Sequence, residues 1–156
     1  LAEFGDVERP AGIAAAILKA LPLTTTAELR LVIEPFCSRG RNAKLPTRVF
    51  QAIRIAVNRE MEVLEAFLAD CVPSLKTGGR LVVMSYHSLE DRRVKNLMRE
   101  GRCQGEADRD SFGRRLVPFE VLTRKPVSAG PEELEENPRS RSARLRAAEK
   151  IEVSHG

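Results

Sequence analysis

The chain has 156 residues, of which 42% are hydrophobic, and this suits one domain of common size with a core of its own. With aromatic residues at only 4% and no Trp, that core must be built from Leu, Val, Ile and Ala. The net charge of +4 is compatible with a nucleic-acid partner, and no apolar run approaches the roughly 18 residues that cross a bilayer, which excludes a membrane-spanning helix.

The first part of the chain, 1–46, predicts a small helical module. Ala11–Leu21 is rich in Ala, carries isoleucines at helical spacing and is bounded by a proline on each side. The hydroxyl side chains of Thr24–Thr26 offer N-caps for a second short helix that ends near Ile33. Ser38–Pro46 is basic and rich in turn-forming residues, so we expect a loop there.

The next segment has the clearest helical period in the chain. Between Phe50 and Leu68 the apolar residues step by three or four positions, which predicts one long amphipathic helix. Arg54 and Asn58 share a different stripe of this helix. That stripe is either a solvated face or a face directed towards a catalytic or RNA-binding cleft. The apolar positions are Phe50, Ile53, Val57, Met61, Leu64 and Leu68.

A buried strand and a polar turn follow this helix. Gly78-Gly79 precedes the apolar run Leu81–Met84, which predicts a turn feeding a buried strand. The strand leads into Ser85-Tyr86-His87-Ser88-Leu89-Glu90-Asp91-Arg92. In open α/β sheets ligands bind outside the carboxyl ends of the strands, so we expect these polar side chains to face a crevice.

The polar turn contains the best candidates for chemistry. An imidazole titrates near neutrality, which makes His87 the first candidate for acid–base work, with Asp91 as a second acceptor. Alternatively, His87 holds the turn through backbone hydrogen bonds and Asp91 caps the following helix. No Gly-x-Ser-x-Gly elbow surrounds Ser85 or Ser88, so we expect no hydrolase triad. The other histidine is His155, and we expect no metal site.

Basic residues are concentrated after the polar turn. Between Arg92 and Arg115 there are eight basic residues against four acids. Arg92 and Arg93 would lie in the first turn of a helix, where the helix dipole disfavours cations, so either an RNA phosphate or Glu90 should compensate. Residues 101–115 contain few hydrophobic residues and no regular period, which predicts a mobile basic loop.

The last third of the chain predicts two strands. Val94–Glu100 completes a short helix, Phe119–Thr123 predicts a strand, and Gly130–Pro138 contains one acidic helical turn. Ser142–Ile151 predicts another strand, and the two strands could form an antiparallel pair that closes the sheet. One face of the last strand would carry apolar side chains, with charged side chains between them: Ala143, Leu145 and Ala147.

Four segments in fixed order carry a resemblance to a known family. They are Phe50–Glu60, Gly78–Leu81, Ser85–Arg92 and Asn137–Arg146. Together they resemble the C-terminal half of the S-adenosylmethionine-dependent small-subunit ribosomal RNA cytosine-N4 methyltransferases. The resemblance implies an α/β fold: 47–156 as the C-terminal part of a Rossmann-like methyltransferase domain, and 1–46 as part of a helical insertion that recognises the substrate.

The resemblance also implies a reaction and a set of partners. A methyl group would pass directly from S-adenosylmethionine to N4 of a cytosine in the decoding region, without a metal. The substrate would be the small-subunit rRNA in the 30S ribosomal subunit, and a homodimer is one open oligomeric state. The residues expected near the reacting base are His87, Ser88 and Asp91, with Tyr86 lining the site. The residues expected to orient RNA are Arg54, Asn58, Arg92 and Arg93.

One feature of that family is not found in this sequence. The glycine-rich cofactor loop and the acidic ribose-binding position lie upstream in the family, so we assign no cofactor-binding residue here and expect this chain alone to be inactive. The alternative is a catalytically silent RNA-binding or ribosome-assembly module. Three widely separated cysteines and the absence of a secretory signal after Leu1 favour a cytoplasmic protein.

Overall fold

A computed structural model describes residues 1–37 and 43–152. They form two compact units, one from Leu1 to Glu60 and one that begins at Met61. Most of the predicted Ser38–Pro46 loop, and His155, lie outside the described residues. The described parts mix helices with a three-stranded sheet, as the α/β prediction requires. None of the helices in these ranges has the length and apolar character needed to cross a bilayer.

The first unit is helical. Pro10 occupies the first turn of its second helix, and Thr25 caps the third by accepting the Glu28 N–H while the Glu28 carboxylate accepts the Thr25 N–H. Both features follow the predicted start signals. The helices are α1 (Ala2–Gly5), α2 (Pro10–Lys19), α3 (Thr26–Ile33) and α4 (Leu45–Asn58), with a 3-10 turn at Glu34–Phe36.

The predicted single helix over Phe50–Leu68 is wrong, because the chain turns between two helices. α4 ends at Asn58, Arg59 takes a left-handed conformation with φ 52°, and α5 (Glu60–Ser74) begins at once. The fully buried positions of α4 also differ from the predicted stripe: Leu45, Val49, Ala52 and Ile55. Val57, expected in the apolar face, is 75% exposed.

The second unit contains the sheet. Strand β3 lies between β1 and β2 and is antiparallel to both, which confirms the predicted antiparallel pair at the C-terminus. The elements after α5 are β1 (Arg80–Ser85), α6 (Ser88–Glu100), β2 (Phe119–Val121), α7 (Pro131–Glu136), a 3-10 turn (Pro138–Ser142) and β3 (Arg144–Lys150). Helix α6 contacts all three strands, and the core between them contains Leu68, Leu81, Val94, Leu97, Met98, Phe119 and Ala148.

One prediction about burial in the sheet is wrong. Strand β1 is buried on one face only, since Val82 and Met84 are 56% and 52% exposed. On β3 the buried side chains are Arg146 and Ala148, whereas Leu145 and Ala147 are only half-buried. The reason is that α6 covers the face of β3 that carries the arginines, and a carboxylate on α6 neutralises Arg146.

Candidate functional site

The polar turn after β1 is built around the side chain of His87. Its Nδ1 accepts the backbone N–H of Glu90 at 3.3 Å, so His87 is the N-cap of α6. In return, Glu90 Oε2 accepts the backbone N–H of Tyr86 at 2.8 Å and that of His87 at 3.2 Å. This is a capping box in which an imidazole replaces the usual hydroxyl. It fixes how the chain leaves the sheet and enters the helix.

The cap also fixes the tautomer of the neutral imidazole. Because Nδ1 accepts a hydrogen bond, the proton of the neutral ring is on Nε2. Nε2 lies 3.2 Å from Glu90 Oε1, but the two atoms are poorly aligned, and this buried nitrogen has no hydrogen-bond partner among the described residues. These bonds agree with the second predicted role of His87, holding the turn. Its part in proton transfer stays a prediction.

Glu90 carries the charge at the start of α6. Burial raises the pKa of Glu90, but the imidazole of His87 and the backbone N–H groups of Tyr86 and His87 lower it by more, so the net pKa is below its usual value. The carboxylate therefore stays ionised beside the positive end of the helix dipole. The sequence analysis considered Glu90 as a partner of Arg92 and Arg93 and missed its role in the cap, although an acid three positions after the N-cap is the capping-box spacing.

Asp91 points away from the turn and binds the sheet. Its two carboxylate oxygens accept Nε and Nη2 of Arg146 at 2.7 and 3.0 Å, and both side chains are only 8% exposed. Arg144 adds a weaker contact at 3.4 Å. The hydrogen bond from Arg146 lowers the pKa of Asp91 more than burial raises it. His87, and not Asp91, caps α6.

The remaining predicted residues differ in how accessible they are. Tyr86 is 58% exposed, and Ser88 and Arg92 are also exposed, so these three side chains can meet a ligand at the turn. Arg93 is largely buried, and its Nε donates to Glu65 of α5 at 2.7 Å. The structure thus brings the predicted residues from 86 to 93 together around the start of α6.

The other two predicted RNA-orienting residues belong to the first unit. Arg54 donates to both carboxylate oxygens of Glu60, at 2.7 and 2.9 Å. Asn58 donates to the same carboxylate at 3.3 Å. The predicted stripe of Arg54 and Asn58 is therefore bound to Glu60, the residue directly after the helix break.

The turn before α6 does not fit S-adenosylmethionine. A glycine-rich turn between a strand and a helix normally offers free backbone N–H groups to such a ligand. The turn before α6 has no glycine, and its Tyr86, His87 and Glu90 N–H groups are already bound by side chains. Within the described ranges, no group of three or more His, Cys, Asp or Glu side chains could hold a metal.

Comparison with known proteins decides the family. Residues 1–151 match the model of the MraW methylase family. The chain belongs to the MraW methylase family. This confirms the family resemblance that the four sequence segments carry. It also agrees with the prediction that the chain is the C-terminal part of an α/β fold, because the matched segment covers about half of each longer relative.

Several MraW-family relatives are named ribosomal RNA small subunit methyltransferase H. The relative from Phocaeicola vulgatus is 47% identical over 150 residues, which cover 94% of this chain and 49% of the relative. Those from Bacteroides thetaiotaomicron and Acidobacterium capsulatum are 46% and 47% identical, and 49% and 46% of their lengths are covered. The chain spans about half the length of the relatives that it matches.

Proposed function

We propose that this chain acts as part of an S-adenosylmethionine-dependent methyltransferase that methylates N4 of a cytosine in small-subunit rRNA. The observation that carries the proposal is the family match over residues 1–151, and its relatives are named small-subunit rRNA methyltransferases. The substrate is the 30S subunit or its rRNA, and the protein works in the cytoplasm. The homodimer stays a prediction, which light scattering on the purified protein checks.

The residues of the polar turn have two different roles at the reacting base: some contact it, and others position the turn. The ring of Tyr86 and the hydroxyl of Ser88 are accessible, so they contact the cytosine and hold its exocyclic amine in place. His87 and Asp91 lie behind them and position the turn, His87 through the cap and Asp91 through Arg146. A fixed turn matters because a small displacement of the reacting atoms costs orders of magnitude in rate.

Arginine side chains hold the RNA backbone in this proposal. Arg92 is exposed as the fifth residue of α6 and is able to bind a phosphate bidentately. Arg93 contributes by keeping α6 against α5 through Glu65, which supports the surface from which Arg92 projects. Arg54 and Asn58 keep their predicted RNA-orienting role, with Glu60 fixing both side chains.

We further propose that this chain alone is inactive, since its described residues offer no cradle for S-adenosylmethionine. Isothermal titration of the 156-residue chain with the cofactor should show no complex at micromolar concentrations. A tight one-to-one complex would refute this part of the proposal and leave the substrate assignment in place. No described residue is therefore assigned to the cofactor.

The decisive experiment uses the longest gene product that contains this chain. It is incubated with methyl-labelled S-adenosylmethionine and unmodified 30S subunits, and the nucleosides are separated by chromatography and mass spectrometry. The expected product is N4-methylcytidine. Label on another nucleoside would refute the proposed reaction. Binding to the subunits without transfer would favour the RNA-binding or ribosome-assembly module instead.

A further inference from the structure

The segment predicted to be a mobile basic loop contains a well-defined turn, which we call the 109–115 turn. Arg109 and Arg115 pair as an antiparallel bridge, and Asp110 N–H donates to the carbonyl of Arg114 at 2.9 Å. Asp110 Oδ1 accepts the N–H of Phe112 at 2.9 Å and that of Arg114 at 2.8 Å. An Asp at the first position and a Gly at the fourth are typical of such a turn, and Gly113 has φ 79°.

The turn presents an aromatic ring to solvent. Phe112 is 71% exposed. The guanidinium carbon of Arg114 lies 5.4 Å from the centroid of its ring, so one face of the ring is covered by a cation. Because the Phe112 side chain is largely exposed, the opposite face of the ring is open to a planar ligand.

The charge around the ring favours an anionic partner. The turn carries three arginines against one acid, Asp110, whose Oδ1 is occupied by two backbone N–H groups. Arg115 is neutralised by Glu100. Arg109 donates to the carbonyl of Gly113 at 2.9 Å. Arg109 and Arg114 form no ion pair within the described residues, and the guanidinium group of Arg114 lies over the exposed ring.

We propose that the 109–115 turn binds single-stranded RNA, with one unpaired base stacked on the open face of Phe112 and the neighbouring phosphates bound by Arg109 and Arg114. An aromatic platform beside cations is the combination by which proteins hold unpaired bases. A duplex keeps its bases stacked on one another and so cannot occupy the ring. This inference rests on the proposed function for its choice of RNA, and it adds a contact point separate from the polar turn.

The test uses the 156-residue chain and a short oligoribonucleotide that contains 2-aminopurine, whose fluorescence is quenched when it stacks on an aromatic ring. Phe112→Leu should weaken binding of the single strand roughly 5- to 100-fold and remove the quenching. Phe112→Tyr should keep both. Phe67→Leu is the matched control, because Phe67 is also exposed, at 58%, but lies on helix α5.

The contribution of Arg114 is tested through the dependence of RNA affinity on salt concentration. Arg114→Gln should lower the slope of log affinity against log salt by about 0.7, the value for one phosphate contact on a single strand. Phe112→Leu should leave that slope unchanged, since stacking releases no counterions. Each variant is melted by circular dichroism, and no shift is expected because both side chains are exposed.

The outcomes separate this inference from the proposed function. Equal RNA affinity of wild type and Phe112→Leu, or equal affinity for single strand and duplex, overturns the inference while methylation of 30S subunits can still succeed. No measurable RNA binding by the chain also overturns it. Conversely, loss of quenching in Phe112→Leu supports the stacking inference. This holds even if the gene product does not methylate the 30S subunits and the proposed reaction is wrong.

Discussion

At the residue scale, the buried ion pair of Asp91 and Arg146 is the most sensitive point of the second unit. Both charges are withdrawn from water. Among the described residues, Asp91 is compensated by Arg146 and by the more exposed Arg144, whereas Arg146 is compensated by Asp91. Removing one partner of such a pair leaves a buried charge without compensation, which costs more than the pair itself contributes. The pair also joins the start of α6 to β3.

Arg146→Ala should therefore lower the free energy of unfolding by about 3–5 kcal/mol. Arg146→Lys should cost less, because it keeps the charge and loses the bidentate geometry. The control is Arg144→Ala, which removes a contact of a half-exposed side chain and should cost at most about 1 kcal/mol. Chemical denaturation of the three variants measures this, and equal losses for Arg146→Ala and Arg144→Ala would contradict it.

The same pair makes stability depend on pH in a definite direction. The folded state holds the pKa of Asp91 below its usual value of 3.8, so the stabilisation is complete above that value and is lost as the pH falls through the lowered pKa. Melting temperatures of wild type should fall over that acidic range. The melting temperature of Asp91→Asn should be lower than that of wild type at neutral pH, and it should fall less over the acidic range. Parallel curves for the two proteins would show that Asp91 does not contribute.

Some residue roles could be predicted and others could not, for physical reasons. The cap at Thr25 and the proline at the start of α2 depend on neighbours within four positions, so the sequence contains the whole signal. The pairing of Arg146 with Asp91 joins positions 55 residues apart. The alternation of apolar and charged residues shows which side chains of β3 share a face. Which face is buried depends on the distant carboxylate that makes burial of Arg146 possible.

At the element scale, the start of α6 depends on His87. Its imidazole satisfies one of the N–H groups that every helix leaves free at its N-terminus. The glycine pair and the apolar run placed β1 correctly, but α6 begins at Ser88, four residues before the predicted start at Arg92. No local pattern marks an imidazole as a cap. The helix break at Arg59 was missed for a related reason, since neither Gly nor Pro stands there and the apolar spacing continues across it.

His87→Ala should cost about 0.5–2 kcal/mol of stability, because it removes the cap. His87→Asn should restore most of that loss, since an Asn oxygen can accept the same N–H. In the full gene product we expect Asn to recover turnover together with stability, as a positioning role requires. Thermal melting and single-turnover methylation are measured for both variants. A His87→Asn protein that melts like wild type but methylates a hundredfold more slowly would assign the imidazole a chemical step instead.

At the scale of the whole molecule, the sheet has two unequal faces. One packs under α6, and the other exposes Val82 and Met84 on β1, which pairs only with β3 among the described strands. Apolar strand residues of this kind usually mark a surface that another segment covers. The sequence predicted a strand buried on both sides, and an apolar run alone cannot tell which neighbours are present.

Met84→Asp and Leu81→Asp distinguish the two faces. In this chain Met84 is 52% exposed, so its replacement should change the free energy of unfolding by no more than about 0.5 kcal/mol. Leu81 is 8% exposed on the opposite face, and an aspartate there buries an unpaired charge, which should prevent stable folding. In a longer gene product that covers β1, Met84→Asp should become comparably damaging. Denaturation of both variants in both proteins checks this, and a Met84→Asp variant that is harmless in the longer protein would show that this face stays open to solvent there.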